Sequence, residues 1–449
     1  MNLPNFVAPH WKSDAGGELL IGTLTVSSLA GLHGTPFFVY DRNIVERKYA
    51  ALRAALPKRF AISYSVKANP NPAFLGVFLE KGCGLEIASA GELYQAQRAG
   101  CSAQNIVFAG PGKTWSELEL AISQGIGELH AESELEIERI TAISKKLEVR
   151  TAIAIRVNPN EDGQGGAMQM GGKSAPFGID EEKLGPLLDR IVNNPWLDFR
   201  GIHLFVGTQI LDHKLLLGQY QKGLDIARHA ASVTNRPVGV LDFGGGLGIP
   251  YFDGDSELDL SQLAVGLGEL MAEIEKQPFF AQTKFMVEPG RFLVGEAGVY
   301  VTRINDVKIS RGKKYLILDG GMNHHLAASG NLGQVIKRNF PIAVLGKFNA
   351  PATETVDVVG PLCTPLDTLG RSVQLPETEV GDLIGIFQSG AYARSASPLG
   401  FLSHPTPPEV WVEGGQDFLI RRRGNSEDSL RDVEPVCLTA GSAFANNKE

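Results

Sequence analysis

The sequence predicts an α/β fold in which a TIM-type (β/α)8 barrel spans residues 35–293, while a second, all-β domain of sandwich or barrel-like form takes 1–34 plus 294–449. Three observations carry this. From Phe37 to about Val294, short apolar runs alternate with longer amphipathic stretches, the pattern of repeated strand-helix units and hence of a parallel sheet. Their number over this length favours a closed barrel over an open doubly wound sheet. After Val294 the runs are separated by Gly, Pro and Asp with little helical spacing, which marks an all-β domain. At 449 residues the chain is also too long for one ordinary core, so two domains are expected.

Taken in order, the residues through His33 add a strand or helix to the β domain, and Thr35-Pro36-Phe37-Phe38-Val39-Tyr40-Asp41 reads as the lead-in to the barrel. Barrel strands are expected at Ala61–Val66, Ile106–Phe108, Ala152–Val157, Gly201–Val206, Gly239–Phe243 and Phe285–Glu288. Helices are expected at Gly91–Ala99 and Leu215–Thr234, where apolar residues recur at three and four positions. Glycines between Asp162 and Gly166 predict a flexible loop before Phe177-Gly178-Ile179. In the tail, strands are expected at Val299–Ile304, Lys314–Leu318, Thr353–Val359 and Leu383–Phe387.

A net charge of -8 and a pI near 5.7 give no electrostatic footprint for nucleic acid. Small molecules or proteins are the expected partners. No stretch approaches the roughly 18 apolar residues of a membrane span, and no basic segment leads into an apolar run at the start; a cytoplasmic protein is expected. Cys83, Cys101, Cys363 and Cys437 lie far apart, without disulfide density or a C-x-x-C spacing. Reduced thiols follow. His324-His325 are adjacent in sequence and rarely converge on one ion, so no metal is assigned.

Three segments carry chemistry in a fixed order. Lys67, in Ser63-Tyr64-Ser65-Val66-Lys67-Ala68-Asn69-Pro70, ends a barrel strand, and the C-terminal rim is where catalytic groups collect. Its amine can bond covalently to an aldehyde cofactor if desolvation lowers its pKa toward neutrality; the plain alternative is a surface lysine. Gly244-Gly245-Gly246 after Leu241-Asp242-Phe243 lets backbone N–H groups approach a phosphate, or serves only as a tight turn. Glu288, in Glu288-Pro289-Gly290-Arg291, can hold a proton on a pyridine nitrogen and Arg291 can take the phosphate. An ordinary ion pair is their plain alternative. Cys363, in Gly360-Pro361-Leu362-Cys363-Thr364-Pro365, is packing or an acid; Tyr392 is a core aromatic or a phosphate donor. A reactive amine, a phosphate cradle and an acid-arginine pair are what pyridoxal phosphate requires.

The ordered set resembles the fold-type III pyridoxal-phosphate decarboxylases, the diaminopimelate and ornithine decarboxylase family, over nearly the whole chain. The resemblance implies that Lys67 binds the cofactor, that Gly244, Gly245, Gly246, Arg291, Tyr392 and Thr208 contact its phosphate, and that Glu288 pairs with the pyridine nitrogen. It places Arg156 and Glu86 around the ring and Lys67. It further implies a homodimer with shared active sites, to which Cys363 and Tyr392 come from the partner subunit. Three departures stand out: Phe205 where the family places a histidine against the cofactor face, Thr364 where diaminopimelate decarboxylases carry a glutamate, and Ala327 and Asn331 where they carry an arginine and a tyrosine. Phe177-Gly178-Ile179, Gly320-Gly321-Met322, Gly360–Pro365 and Phe401–Pro407 are similar to a smaller branch, the glutamyl-acyl-carrier-protein decarboxylase and its exosortase-associated relatives.

The expected activity is therefore decarboxylation of a conjugated or carrier-held amino acid, with Lys67 and Cys363 catalytic and Cys363 as the acid for Cα. The alternatives are a decarboxylase of free diaminopimelate or another free amino acid, an amino-acid racemase, and a non-catalytic binding protein on the same fold. A racemase would need a second acid-base residue, commonly a tyrosine, and the Gly-Pro-Leu-Cys segment argues against it. Retention of Lys67, Glu288, Arg291 and Cys363 disfavours the binding protein.

Overall fold

Eight parallel strands close into a barrel: β1 Phe60–Ser65, β2 Gly84–Ile87, β3 Ile106–Phe108, β4 Glu128–Ala131, β5 Thr151–Asn158, β6 Leu197–Leu204, β7 Val240–Asp242 and β8 Lys284–Val287. Each pairs with the next, and β8 returns to β1. The computed structural model describes residues 3–160, 168–169, 174–334 and 336–434. The loop expected at 162–166 lies outside them. Strands β3, β4 and β7 are buried along their whole length, as a sheet covered on both faces demands.

The helices start on their own chemistry. Ser89, Ser133 and Asp212 cap Ala90–Arg98, Glu134–Leu147 and His213–Thr234, and Thr114 with Glu117 forms a capping box on Trp115–Ser123. After β1, Asn71 accepts from the Ala73 N–H and Pro72 takes the first helical position of Pro72–Glu80. The chain therefore leaves β1 through a short 3₁₀ turn, Val66–Ala68, that holds Lys67 at the rim.

The second sheet is mixed. Its strands run in the order Thr368–Leu375, Glu354–Val359, Lys313–Leu318, Gly298–Ser310, Phe37–Asp41, Glu409–Glu413 and Gln416–Arg421, with Leu383–Ile386 also paired to Gly298–Ser310. Phe37–Asp41 thus departs from the expected lead-in to the barrel. It pairs antiparallel with Gly298–Val301 and parallel with Glu409–Val412. Its five residues are all buried, so the apolar run suited either sheet, and only non-local pairing decides. The barrel begins with helix Arg42–Ala55. The opening residues form three short strands (Lys12–Ser13, Leu19–Ile21, Leu24–Thr25) and a helix, Val26–His33, and Trp11 packs edge-on against Phe387 just past Leu383–Ile386.

Candidate active site

Register brings the chemistry to one level of the rim. Ser65 stands opposite Glu86, and His203 lies between Arg156 on one side and Asp242 on the other. Lys67 Nζ donates to both Glu86 oxygens at 3.1 Å, and Ser65 Oγ donates to Glu86 Oε2. The Lys67 side chain keeps 40% of its surface open to the pocket. Burial opposes the charge on the amine, but Glu86, Tyr392 and Glu288 outweigh it and hold the amine above its ordinary value. This corrects the expectation of a lowered pKa: desolvation is the largest single influence on the free amine, and the anionic neighbours together overcome it.

Lys67 shares a pocket with Ser65, Phe205, Thr208, Gly245, Gly246, Glu288, Arg291 and Tyr392. The glycines are required by their backbone. Gly244 has φ +66° and Gly246 φ +98°; a Cβ at Gly244 would press on the Leu204 carbonyl oxygen, and one at Gly245 would lie 2.8 Å from that of Glu288. Gly244→Ala is expected to destabilise the fold by about 1–3 kcal/mol or more, since a left-handed alanine and a backbone clash add. A thermal melt of the cofactor-free chain checks it.

Arg291 Nη1 donates to the Tyr251 hydroxyl at 2.8 Å, and its guanidinium stacks 4.6 Å from the Tyr392 ring centroid. Its Nε is buried without a hydrogen-bond partner among the described residues. The Tyr392 N–H donates to Ala68 O at 2.8 Å, which seats Tyr392 beside Lys67 of its own chain. The expectation that Tyr392 comes from a partner subunit is thereby corrected: the turn after β1 and the loop after Leu383–Ile386 meet within one subunit. Tyr251 was not foreseen, because nothing local marks a phenol thirty-nine residues upstream of its arginine's neighbour Gly290. Thr208 lies in Gly207–Thr208, which pairs with Met168–Gln169.

The Phe205 ring centroid lies 5.7 Å from Lys67 Nζ and 5.8 Å from Arg156 Cζ, so the ring is within reach of both cations. Arg156 Nη1 donates to Glu132 Oε1 at 2.8 Å, while Nη2 is buried without a hydrogen-bond partner among the described residues. Glu132, also unforeseen, accepts from the Gly110 and Gly178 N–H groups at 2.7 and 3.2 Å. It therefore orients Arg156 and ties two rim loops together.

Glu288 follows β8 and is buried, and among the described residues its Oε1 has no hydrogen-bond partner. Burial alone would raise its pKa; His203, with Nε2 3.4 Å from Oε2, and then His130 and Lys67 hold it far below the usual range. His130, His203 and Asp242 were missed by the sequence reading. Among the described residues, donor atoms of these three and Glu288 lie within 4.8 Å of one another, all buried.

Cys363 is not brought to this pocket within the chain. It is exposed in the loop between Glu354–Val359 and Thr368–Leu375. Buried Asp367 shapes that loop, accepting from the Leu362 N–H at 2.9 Å and the Met322 N–H at 2.7 Å.

The donor set fits pyridoxal phosphate. An amine on the rim suits its aldehyde, the glycine cradle with Arg291 suits its phosphate, and the unpartnered oxygen of Glu288 suits a protonated ring nitrogen. Residues 42–295 match the pyridoxal binding domain of the pyridoxal-dependent decarboxylases. The chain is 38% identical to the L-glutamyl-[BtrI acyl-carrier protein] decarboxylase of Niallia circulans over 90% of its length and 94% of that protein's. It is 33% identical to the diaminopimelate decarboxylase of Aquifex aeolicus, over 91% and 94%. The crystal structure of diaminopimelate decarboxylase from Helicobacter pylori with L-lysine superposes with a TM-score of 0.81 at 30% identity, covering 90% of this chain and 98% of that one. The chain therefore belongs to the fold-type III pyridoxal-phosphate-dependent amino-acid decarboxylases, the family of the diaminopimelate and ornithine enzymes.

Proposed function

We propose that this decarboxylase acts on an amino acid held on a larger carrier, a glutamyl-carrier-like substrate in a specialised biosynthesis, and that it works as a homodimer with shared sites. The observation that carries the reading is the way the polar groups beside the Cys363 loop are spent inside the protein. Asn331 Nδ2 donates to Ser329 Oγ and Leu366 O, its Oδ1 accepts from Lys337, and Thr364 Oγ1 accepts from the Leu366 N–H. These positions, where relatives of the diaminopimelate type are expected to grip a distal charged head, make internal bonds instead. Each hydrogen bond to a charged group is worth about 1.5–3 kcal/mol, so a free diamino diacid would lose several. The run Ala327–Gly330 adds less room than its small side chains suggest, because Ala328 and Ser329 are buried.

Pyridoxal phosphate supplies the electron sink into which the bond to the departing carboxylate can break. The chain supplies position and protons. Lys67 is read as the residue that holds the aldehyde, kept in place by Glu86. Gly244, Gly245, Gly246, Thr208, Arg291 and Tyr392 would hold the phosphate, Phe205 would lie against the ring with Arg156 at its edge, and Glu288 would keep a proton on the ring nitrogen. Cys363 of the partner subunit would deliver a proton to Cα. Phe205 cannot hydrogen-bond the reacting carboxylate, so desolvation and Arg156 are left to orient it. No helix among the described residues is long and apolar enough to cross a membrane.

Arg291→Ala is expected to weaken cofactor binding about tenfold or more, the loss of one charge-assisted contact. Titration of cofactor absorbance checks it. The substrate reading is tested by presenting free diaminopimelate and carrier-linked glutamate to the same enzyme. Carrier-linked turnover at least about tenfold faster is expected; equal rates would remove the basis of the reading, and activity on free diaminopimelate alone would reverse it.

A further inference from the structure

Behind the pocket, four buried groups meet: His130 on β4, His203 on β6, Asp242 on β7 and Glu288 just past β8. His130 is the pivot. Its Nε2 lies 2.9 Å from Glu128 Oε1 and 4.0 Å from Asp242 Oδ2, and its Nδ1 lies 4.0 Å from Glu288 Oε1. Each ring nitrogen therefore faces a carboxylate. Only the imidazolium carries a proton on both, whereas a neutral ring would turn a bare lone pair toward one of two carboxylates.

The neighbours leave that charge to His130. The His203 ring centroid is 4.3 Å from that of His130; burial, and then His130 and Arg156, push His203 down to about 4 against the pull of Glu288. His203 Nε2 lies 3.4 Å from Glu288 Oε2, and neither His203 ring nitrogen has a hydrogen-bond partner among the described residues. Burial and then Glu288 push Asp242 well up, and its Oδ1 accepts from the Gly244 N–H. The other charged groups facing the quartet are Glu128 on β4 itself, Glu132 just past β4 and within the electrostatic reach of His203, Arg156 on β5, Lys67 past β1, and Lys113, whose Nζ donates to His130 O at 2.8 Å.

We propose that His130 is a positioning residue for the reaction, a buried imidazolium clamped between Glu128 and Glu288 that keeps Glu288 anionic and so able to hold a proton on the cofactor's ring nitrogen. This rests on the reading of Glu288 given above. A buried Glu128–His130 pair with only a structural role is the competing account, and a double variant separates the two.

Nitrogen NMR of histidine-labelled holoenzyme at about pH 8 should show His130, identified by its loss in His130→Asn, protonated on both nitrogens although free histidine is neutral there. His130→Asn should shift the cofactor's absorption toward that of Glu288→Gln and lower kcat about tenfold with KM nearly unchanged. Glu128→Gln/His130→Asn removes the pair without leaving a lone buried charge, so it should fold, and it should keep both defects. Recovery in the double variant would overturn the proposal, because His130 would then only balance Glu128. One bare nitrogen on His130, or an equivalent of divalent metal retained by the quartet, would overturn it too. An imidazolium at His130 beside a spectroscopically silent Glu288→Gln would overturn it from the other side, through the role given to Glu288.

Discussion

Alanine at Lys67 is expected to lower carbon dioxide release by about a thousandfold or more while leaving a folded protein, because it removes the covalent attachment and little buried volume. Lys67 is open on its pocket side and, among the described residues, hydrogen-bonded only to Glu86, so few packing contacts go with it. The uncompensated loss falls on Glu86, which is buried and keeps its bond from Ser65. Borohydride treatment followed by peptide mass mapping is the direct check. The parent should carry the fixed cofactor at Lys67 and the variant none. A variant that still fixes the cofactor, at another residue, would remove Lys67 from its role.

Cys363→Ala is expected to change what is made more than whether carbon dioxide leaves. If the thiol delivers the proton to Cα, its loss lets the proton arrive elsewhere, so that aldehyde replaces amine as product and the nitrogen stays on the cofactor. Amine formation should fall by about a hundredfold, the usual size of a general-acid contribution. Because Cys363 is exposed and outside its own chain's pocket, the same residue tests the assembly. Mixing Lys67→Ala with Cys363→Ala subunits should restore one intact site in the mixed dimer. No recovery would count against a shared site. Asp367→Asn, which weakens the bonds shaping the Cys363 loop, should resemble a mild Cys363→Ala in product ratio.

The barrel was legible because its strands carry apolar runs between helices that announce their own starts. Two strands escaped notice, β2 and β4, and the reason is chemical. Gly84-Leu85-Glu86-Ile87 and Glu128-Leu129-His130-Ala131 each carry charged or titratable residues into the interior, which breaks the apolar run that betrays a strand. The interruptions are the site itself: Glu86 meets Lys67, and His130 stands behind Glu288. Polar residues on a strand buried on both faces are thus the signal that could have found them. Lys67, the glycines, Glu288 and Arg291 were readable as ordered motifs because each needs its immediate neighbours. Glu132, Tyr251, His203 and Asp242 act through partners on distant elements, and a single sequence holds no record of which elements meet. Phe37–Asp41 shows the same limit in the fold, since its five buried residues fit either sheet and the pairing with Gly298–Ser310 is set more than two hundred residues away.

The central claim, an amino-acid decarboxylase working on a carried substrate from Lys67, is tested most directly by intact-mass measurement of a glutamyl-loaded carrier protein incubated with the pyridoxal-phosphate-loaded enzyme. The carrier should lose the mass of one carbon dioxide, Lys67→Ala should leave it unchanged, and free diaminopimelate in the same vessel should be consumed far more slowly. An unchanged carrier beside rapid conversion of free diaminopimelate would contradict it.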